Sequence, residues 1–164
     1  LKDNENNQVA MAQKKRLLNS ILVKPSGPDC NLGCSYCFYL DKEKLFPETT
    51  THRMSPEILE ELIRQAMQQS GDAISIAWQG GEPALMGLDF YKRAVELEIK
   101  YGHGQSVGNG FQTNGTLLTD EWCVFLKKYN FMVGISLDGP KEIHDRYRRD
   151  IKGSGTFDAE RRSS

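Results

Sequence analysis

Cys30-Asn31-Leu32-Gly33-Cys34-Ser35-Tyr36-Cys37 separates its three cysteines by three and then two residues. A short apolar stretch, Ile21-Leu22-Val23, precedes the run and reads as the end of a strand. Three thiolates can ligate three corners of a [4Fe–4S] cube, whereas an ordinary cluster of that kind takes four. The spacing therefore predicts one cluster held by Cys30, Cys34 and Cys37, with an iron left for a ligand that is not protein. Zinc is the competing reading. Structural zinc prefers four ligands in closed tetrahedral sets, typically as two pairs. No second cysteine pair exists, and His52, His103 and His144 lie in unrelated settings.

Outward from the cysteines, strand and helix patterns alternate. Residues 20–24 read as the first strand, leading into the cysteine loop. Ser55-Pro56-Glu57 supplies a cap residue, a proline at the first helical position and an acid in the first turn. Ile58, Leu59, Leu62, Ile63, Ala66 and Met67 then recur at helical spacing to about Gln69. Residues 72–78, between Gly71 and Gly80-Gly81, read as a strand buried on both faces. Leu88–Tyr101 is the second helix, ended by Gly102. Residues 108–113 form the third strand, Thr119-Asp120-Glu121 caps a third helix to Lys128, and residues 131–137 form the fourth strand.

Such alternation predicts an α/β fold of about four parallel strands with right-handed crossover helices. In such sheets ligands sit at the carboxyl ends of the strands. Each end here is polar: the cysteine loop, Gln79-Gly80-Gly81-Glu82, Gln112-Thr113-Asn114-Gly115 and Ser136-Leu137-Asp138-Gly139. Four such ends aimed at one mouth make a site.

Composition sets the outer bounds. A chain of 164 residues allows one domain with a real core. Its 21 basic and 22 acidic residues give a formal charge of −1 with no basic block, so neither nucleic acid nor an anionic membrane is expected as a partner. No apolar run approaches the roughly 20 residues of a membrane span. The first ten residues are polar and acidic, unlike a secretory h-region, which predicts a cytoplasmic protein. Residues 1–19 read as a loose polar extension and 20–164 as the core domain. Met11, ahead of Lys14-Lys15-Arg16, is a candidate native start. Cys123, within the apolar helix pattern of residues 120–126, reads as a buried small hydrophobe rather than a fourth ligand.

Each strand-end motif also has a plain structural reading. Gly80-Gly81-Glu82-Pro83 could be a tight turn that uses glycine for positive φ. Gln112-Thr113-Asn114-Gly115 could be Asn-Gly turn chemistry, although a helix rather than a hairpin follows it. Ser136 and Asp138 could cap a helix. Arg146, Arg148 and Arg149 could form a solvated basic face.

Taken together these strings resemble the radical S-adenosylmethionine superfamily and, within it, the anaerobic sulfatase-maturating enzymes. The resemblance rests on the cysteine run with Phe38-Tyr39, Trp78-Gln79-Gly80-Gly81-Glu82-Pro83, Gln112-Thr113-Asn114-Gly115-Thr116-Leu117-Leu118, Gly134-Ile135-Ser136-Leu137-Asp138-Gly139-Pro140 and His144-Asp145-Arg146-Tyr147-Arg148. It implies the N-terminal part of a partial (β/α)6 barrel. It implies S-adenosylmethionine chelating the open iron through its amino and carboxylate groups. Tyr36 would lie along the adenine, and Gly80, Gly81 and Glu82 would meet the methionyl amine. Ser136 and Arg148 would contact the same cofactor, Arg148 pairing with its carboxylate. The implied reaction generates a 5′-deoxyadenosyl radical that takes a hydrogen from a cysteine or serine of an unfolded sulfatase, leading to formylglycine. A reductant such as flavodoxin or ferredoxin would supply the electron.

A radical maturase of another peptide, or a cluster-binding truncation without activity, are the alternative readings. Family members are longer, and their later strands, auxiliary-cluster cysteines and general-base aspartate have no counterpart here. The resemblance thus implies a fragment that stops at the start of a fourth helix near Gly153-Ser154-Gly155, leaving an unpaired sheet edge.

Overall fold

The computed structural model describes residues 17–162. Strand β1 (Leu18–Val23) leads through the cysteine loop and a 3-10 turn at Lys42–Leu45 to helix α1 (Pro56–Gln69). Then follow β2 (Ser70–Trp78), a 3-10 turn at Pro83–Met86, α2 (Leu88–Tyr101), β3 (Ser106–Thr113), α3 (Asp120–Lys128) and β4 (Met132–Ile135). Two short helices, α4 (Lys141–Tyr147) and α5 (Phe157–Arg161), come last. The strands form one sheet in the order β1-β2-β3-β4, with every neighbouring pair parallel. Val23 pairs with Trp78, Trp78 with Phe111 and Phe111 with Val133. That register brings the carboxyl ends of all four strands to one rim. The polar extension lies outside the described residues as far as residue 16, and Leu18 and Asn19 already belong to β1.

The helices form where their patterns direct. Ser55 Oγ accepts from Ile58 N at 3.3 Å, Pro56 follows it, and α1 buries Leu59, Ile63, Ala66 and Met67. These positions fall four, seven and eight residues apart, which is one helical face. Helix α2 buries Tyr91, Ala94, Val95 and Leu97 on the same logic, and Gly102 N closes it on the Glu98 carbonyl at 2.8 Å. Between helices and sheet, Trp78, Tyr91, Phe111 and Trp122 interlock. Their centroids lie 5.5 Å apart for Trp78–Tyr91, 5.0 Å for Tyr91–Phe111 and 5.4 Å for Phe111–Trp122. Contacts of this kind contribute about 0.5–1.5 kcal/mol each beyond the area they bury.

Several expectations need correction. Strand β2 starts at Ser70, not 72, because α1 passes into it without a loop: Ser70 N bonds the Ala66 carbonyl and Ser70 Oγ the Met67 carbonyl. It is also covered on one face only. Among the described residues Ile74, Ile76 and Trp78 are buried while the alternating Ala73 and Ser75 are exposed and Ala77 is half-buried. Thr119 makes no side-chain cap bond at α3. Ser136 and Asp138 cap nothing, since α4 starts from Pro140. Helix α4 itself had no distinct sequence signal, its seven residues being too few for a helical period to show.

Cys123 is exposed rather than buried. Helix α3 turns Trp122, Phe125 and Leu126 to the core, and Cys123 stands one residue round from that face. It borders an open apolar depression with Leu118, Phe131 and Val133, away from the other three cysteines. Among the described residues β4 has a partner strand on one side only, and its Met132 is exposed. No helix of the described residues is long and apolar enough to cross a membrane.

Candidate cofactor site

The rim of strand ends encloses a cavity of about 350 Å³, and Cys30, Cys34 and Cys37 all border it. Tyr36 joins from the same loop, Gly80, Gly81 and Glu82 from the end of β2, Ser136 from the end of β4, and Arg148 from behind α4. Every site residue expected from the sequence thus borders one space. Gln112, Thr113 and Asn114 from the end of β3 complete the wall.

The cysteine loop has little regular structure of its own and is held from outside. Gly33 N donates to the Arg149 carbonyl at 2.8 Å and Ser35 N to the Tyr147 carbonyl at 3.0 Å. Leu32 and Asp150 form an antiparallel bridge beside them. From the other flank Asn31 Nδ2 donates to Thr116 Oγ1 at 2.8 Å, and Asn114 Nδ2 donates to Asn31 Oδ1 at 2.9 Å. Within the loop, Leu32 N lies 3.4 Å from Cys30 Sγ and Tyr39 N 3.4 Å from Cys37 Sγ. Two sulfurs therefore already face backbone donors. Hydrogen bonds to cysteine sulfur are a lever by which a protein tunes an iron–sulfur centre.

The three are free thiols. Burial pushes Cys30 up to about 11. Cys34 is also raised by burial, with the nearby Arg148 cation opposing. A buried thiol stays protonated until a cationic centre displaces its proton. Among the described residues no three His, Cys, Asp or Glu side chains converge on the position of a single ion.

The glycine pair is shaped by the backbone beside it. A Cβ on Gly81 would fall 2.0 Å from the Asp29 carbonyl oxygen, and Gly80 takes a φ of +137°. Gly81 N donates to the Gly27 carbonyl at 2.9 Å and Glu82 N to that of Asp29 at 2.7 Å. The end of β2 is thereby pressed onto the residue just before Cys30. Asp29 is fixed in turn: its carboxylate accepts from His52 N at 2.9 Å, meets His52 Nδ1 at 2.6 Å and pairs with Arg53.

Glu82 is fully buried. Its carboxylate accepts from Ala84 N at 2.9 Å, Thr113 Oγ1 at 2.7 Å and Asn114 N at 2.8 Å. Burial raises its proton affinity and these donors oppose the rise. Its carboxylate braces the end of β2 against the end of β3. At β4, Ser136 Oγ accepts from Gln112 Nε2 at 3.1 Å.

A polar chain runs back from the cavity. Tyr36 OH donates to Asp138 Oδ2 and accepts from Arg148 Nη1, the latter at 3.0 Å. Arg148 is buried, unlike Arg146 and Arg149, so the solvated reading of the basic cluster fits only those two. Its Nε faces Glu160 Oε2 at 3.5 Å. His144, also buried, accepts at Nδ1 from Asp138 N at 3.3 Å and so carries its proton on Nε2, which donates to Thr156 Oγ1 at 3.1 Å and lies 3.2 Å from Glu160 Oε2. Burial and the Arg148 charge hold His144 below its ordinary value, in the neutral form. Sequence reasoning missed Glu160 and Asn114. Asn114 stands inside a quoted motif and could have been found, whereas Glu160 sits in a short helix with nothing around it to mark it.

The molecule is thus a parallel α/β sheet with three cysteines at its strand ends over one cavity. The Radical SAM superfamily model matches residues 25–161, and the chain belongs to that family. A serine-type anaerobic sulfatase-maturating enzyme of Bacteroides thetaiotaomicron is 47% identical over 138 residues, covering 84% of this chain and 33% of that protein. A cysteine-type anaerobic sulfatase-maturating enzyme of Clostridium novyi is 42% identical over 139 residues, 84% of this chain and 37% of the relative. The chain thus spans about a third of the length of the curated relatives it matches. The solved structure of native anSMEcpe with bound AdoMet and Cp18Cys peptide superposes with a TM-score of 0.81 at 39% identity, covering 89% of this chain and 38% of that one. The fold is therefore the N-terminal part of the partial barrel seen in those enzymes.

Proposed function

We propose that this chain is the cofactor-binding part of a sulfatase-maturating radical enzyme. Cys30, Cys34 and Cys37 would hold a [4Fe–4S] cluster, with S-adenosylmethionine beside it. The observation that carries the reading is the convergence of three free thiols, the ends of β2, β3 and β4 and the buried Arg148 on one cavity.

Each residue has a task in this reading. The cysteine sulfurs are the ligands, and Leu32 N and Tyr39 N stabilise negative charge on two of them. Gly80 and Gly81 keep the β2 end close to the cysteine loop, where a Cβ on either would meet the backbone leading into that loop. Arg148 offers its guanidinium to the cofactor's carboxylate, a charge-assisted contact. Tyr36, largely exposed and tied to Asp138 and Arg148, gives the adenine a flat surface to lie on. When bound and reduced by a flavodoxin or ferredoxin, the pair supplies a 5′-deoxyadenosyl radical able to remove hydrogen from the β-carbon of a cysteine or serine. The relatives include both serine-type and cysteine-type anaerobic sulfatase-maturating enzymes, which supports a sulfatase segment as the substrate.

The test is anaerobic reconstitution of the full-length protein with iron and sulfide, followed by dithionite, S-adenosylmethionine and a sulfatase peptide. We expect 5′-deoxyadenosine in step with formylglycine. A reconstituted protein that yields no 5′-deoxyadenosine contradicts the proposal, and one that yields it without modifying the peptide contradicts the choice of substrate.

A further inference from the structure

An arginine that must receive an anionic ligand has to be held without being used up. Arg148 has Nη1 on the Tyr36 hydroxyl and Nε facing Glu160, and its guanidinium makes no other hydrogen bond or ion pair among the described residues. Glu160 is fully buried on α5 and is not among the residues that border the cavity. The carboxylate is itself seated. Thr156 Oγ1 lies 2.9 Å from its Oε1 and also takes the His144 Nε2 bond at 3.1 Å, while the carboxylate's Oε2 meets Arg148 Nε as an ion pair at 3.5 Å and has no hydrogen-bond partner among the described residues. Thr156 Oγ1 also lies 3.1 Å from the Arg148 carbonyl, joining the strap of residues 148–156 to the same network. A buried carboxylate is costly unless paired. Here the cavity arginine supplies a cationic partner at 3.5 Å, while His144 is neutral.

We propose that Glu160 is the positioning residue for Arg148: it fixes the guanidinium through Nε and leaves the remaining donors free for the carboxylate of a bound S-adenosyl amino acid. This rests on the cofactor reading above. It assigns to α5, which borders no part of the cavity, control over how strongly the site prefers a ligand with a carboxylate.

The experiment uses full-length reconstituted protein at matched iron content and compares S-adenosylhomocysteine with its decarboxylated counterpart by calorimetry. The quantity read is the ratio of the two dissociation constants. Glu160→Gln removes the charge that orients Arg148, and the ratio should fall about tenfold, as expected for one weakened charge-assisted contact. Affinity for the decarboxylated ligand should change less than about threefold, which separates positioning from general damage to the site. Glu160→Asp should recover part of the ratio. Thr156→Val, which unseats the carboxylate without removing it, is the second variant and should lower the ratio by about threefold. An unchanged ratio in either folded variant overturns the assignment. Wild-type protein that binds neither ligand overturns the cofactor reading, and the assignment with it.

Discussion

At Gly81 an added methyl group would have to displace the Asp29 backbone, which its Cβ would meet at 2.0 Å. No rotamer change can relieve a clash between a Cβ and a carbonyl oxygen. Gly81→Ala should therefore lower stability by about 3 kcal/mol, read by urea melts, and reduce cluster loading by shifting the residue before Cys30. Cys34→Ala removes a single sulfur, and the reconstituted variant should lose the broad visible absorbance of the iron–sulfur centre. An unchanged spectrum would remove Cys34 from the ligand set. At this scale the cysteines and glycines were legible because their spacing is itself the signal. Glu82 was legible as a site residue, yet the carboxylate's work as a brace depends on Thr113 and Asn114, which no reading of residues 79–83 alone supplies.

Helix α2 carries a device unrelated to the cavity. Glu98 is buried on its inner face, with Oε2 accepting from Asn109 Nδ2 at 3.0 Å and Oε1 without a partner among the described residues. Burial lifts its pKa from the ordinary 4.5 to about 7. Between those values the folded chain holds a proton that the unfolded chain has lost. Its contribution is therefore fully present below pH 4.5 and is lost as pH rises through 7, in all about 3 kcal/mol. Glu98→Gln should flatten that slope and leave the variant more stable than wild type at pH 8, by urea melts at pH 5 and pH 8. At the other end of the first helix, Ser55→Ala should cost about 1 kcal/mol, the usual worth of an N-cap.

Elements with a long apolar period, α1 and α2, were readable to within a residue at each end. Helices α4 and α5 were not, because seven and five residues carry too little period and their stability comes from contacts made elsewhere. The burial of only one face of β2 was equally hidden. Composition cannot say whether helices cover one side of a sheet or both.

For the molecule as a whole, parallel order and the common rim follow from the alternation of strands and helices, and that much was visible in the chain. The free side of β4 is the corresponding weakness. Among the described residues β4 is paired on one side only, Met132 is 80% exposed there, and an edge strand of this kind offers unpaired backbone to a second copy. Met132→Lys should reduce light scattering of this chain at high protein concentration while leaving its melting temperature nearly unchanged, since the side chain packs little. Scattering equal to that of wild type would show that this edge does not drive association.

The strap of residues 147–150 that closes over the cysteine loop has a consequence in time as well as in space. Tyr36 and Arg148 stand 112 positions apart, and the bonds to Gly33 and Ser35 come from the same late segment. A ribosome releases the cysteines long before it releases their clamp. Until Asp150 has emerged, the cysteine loop lacks the backbone bonds from residues 147, 149 and 150 that hold it in the folded chain. On the cofactor reading, iron delivery would follow the release of residues 147–150, which come after the last strand, so the order of synthesis would set the earliest moment at which a cluster could be built.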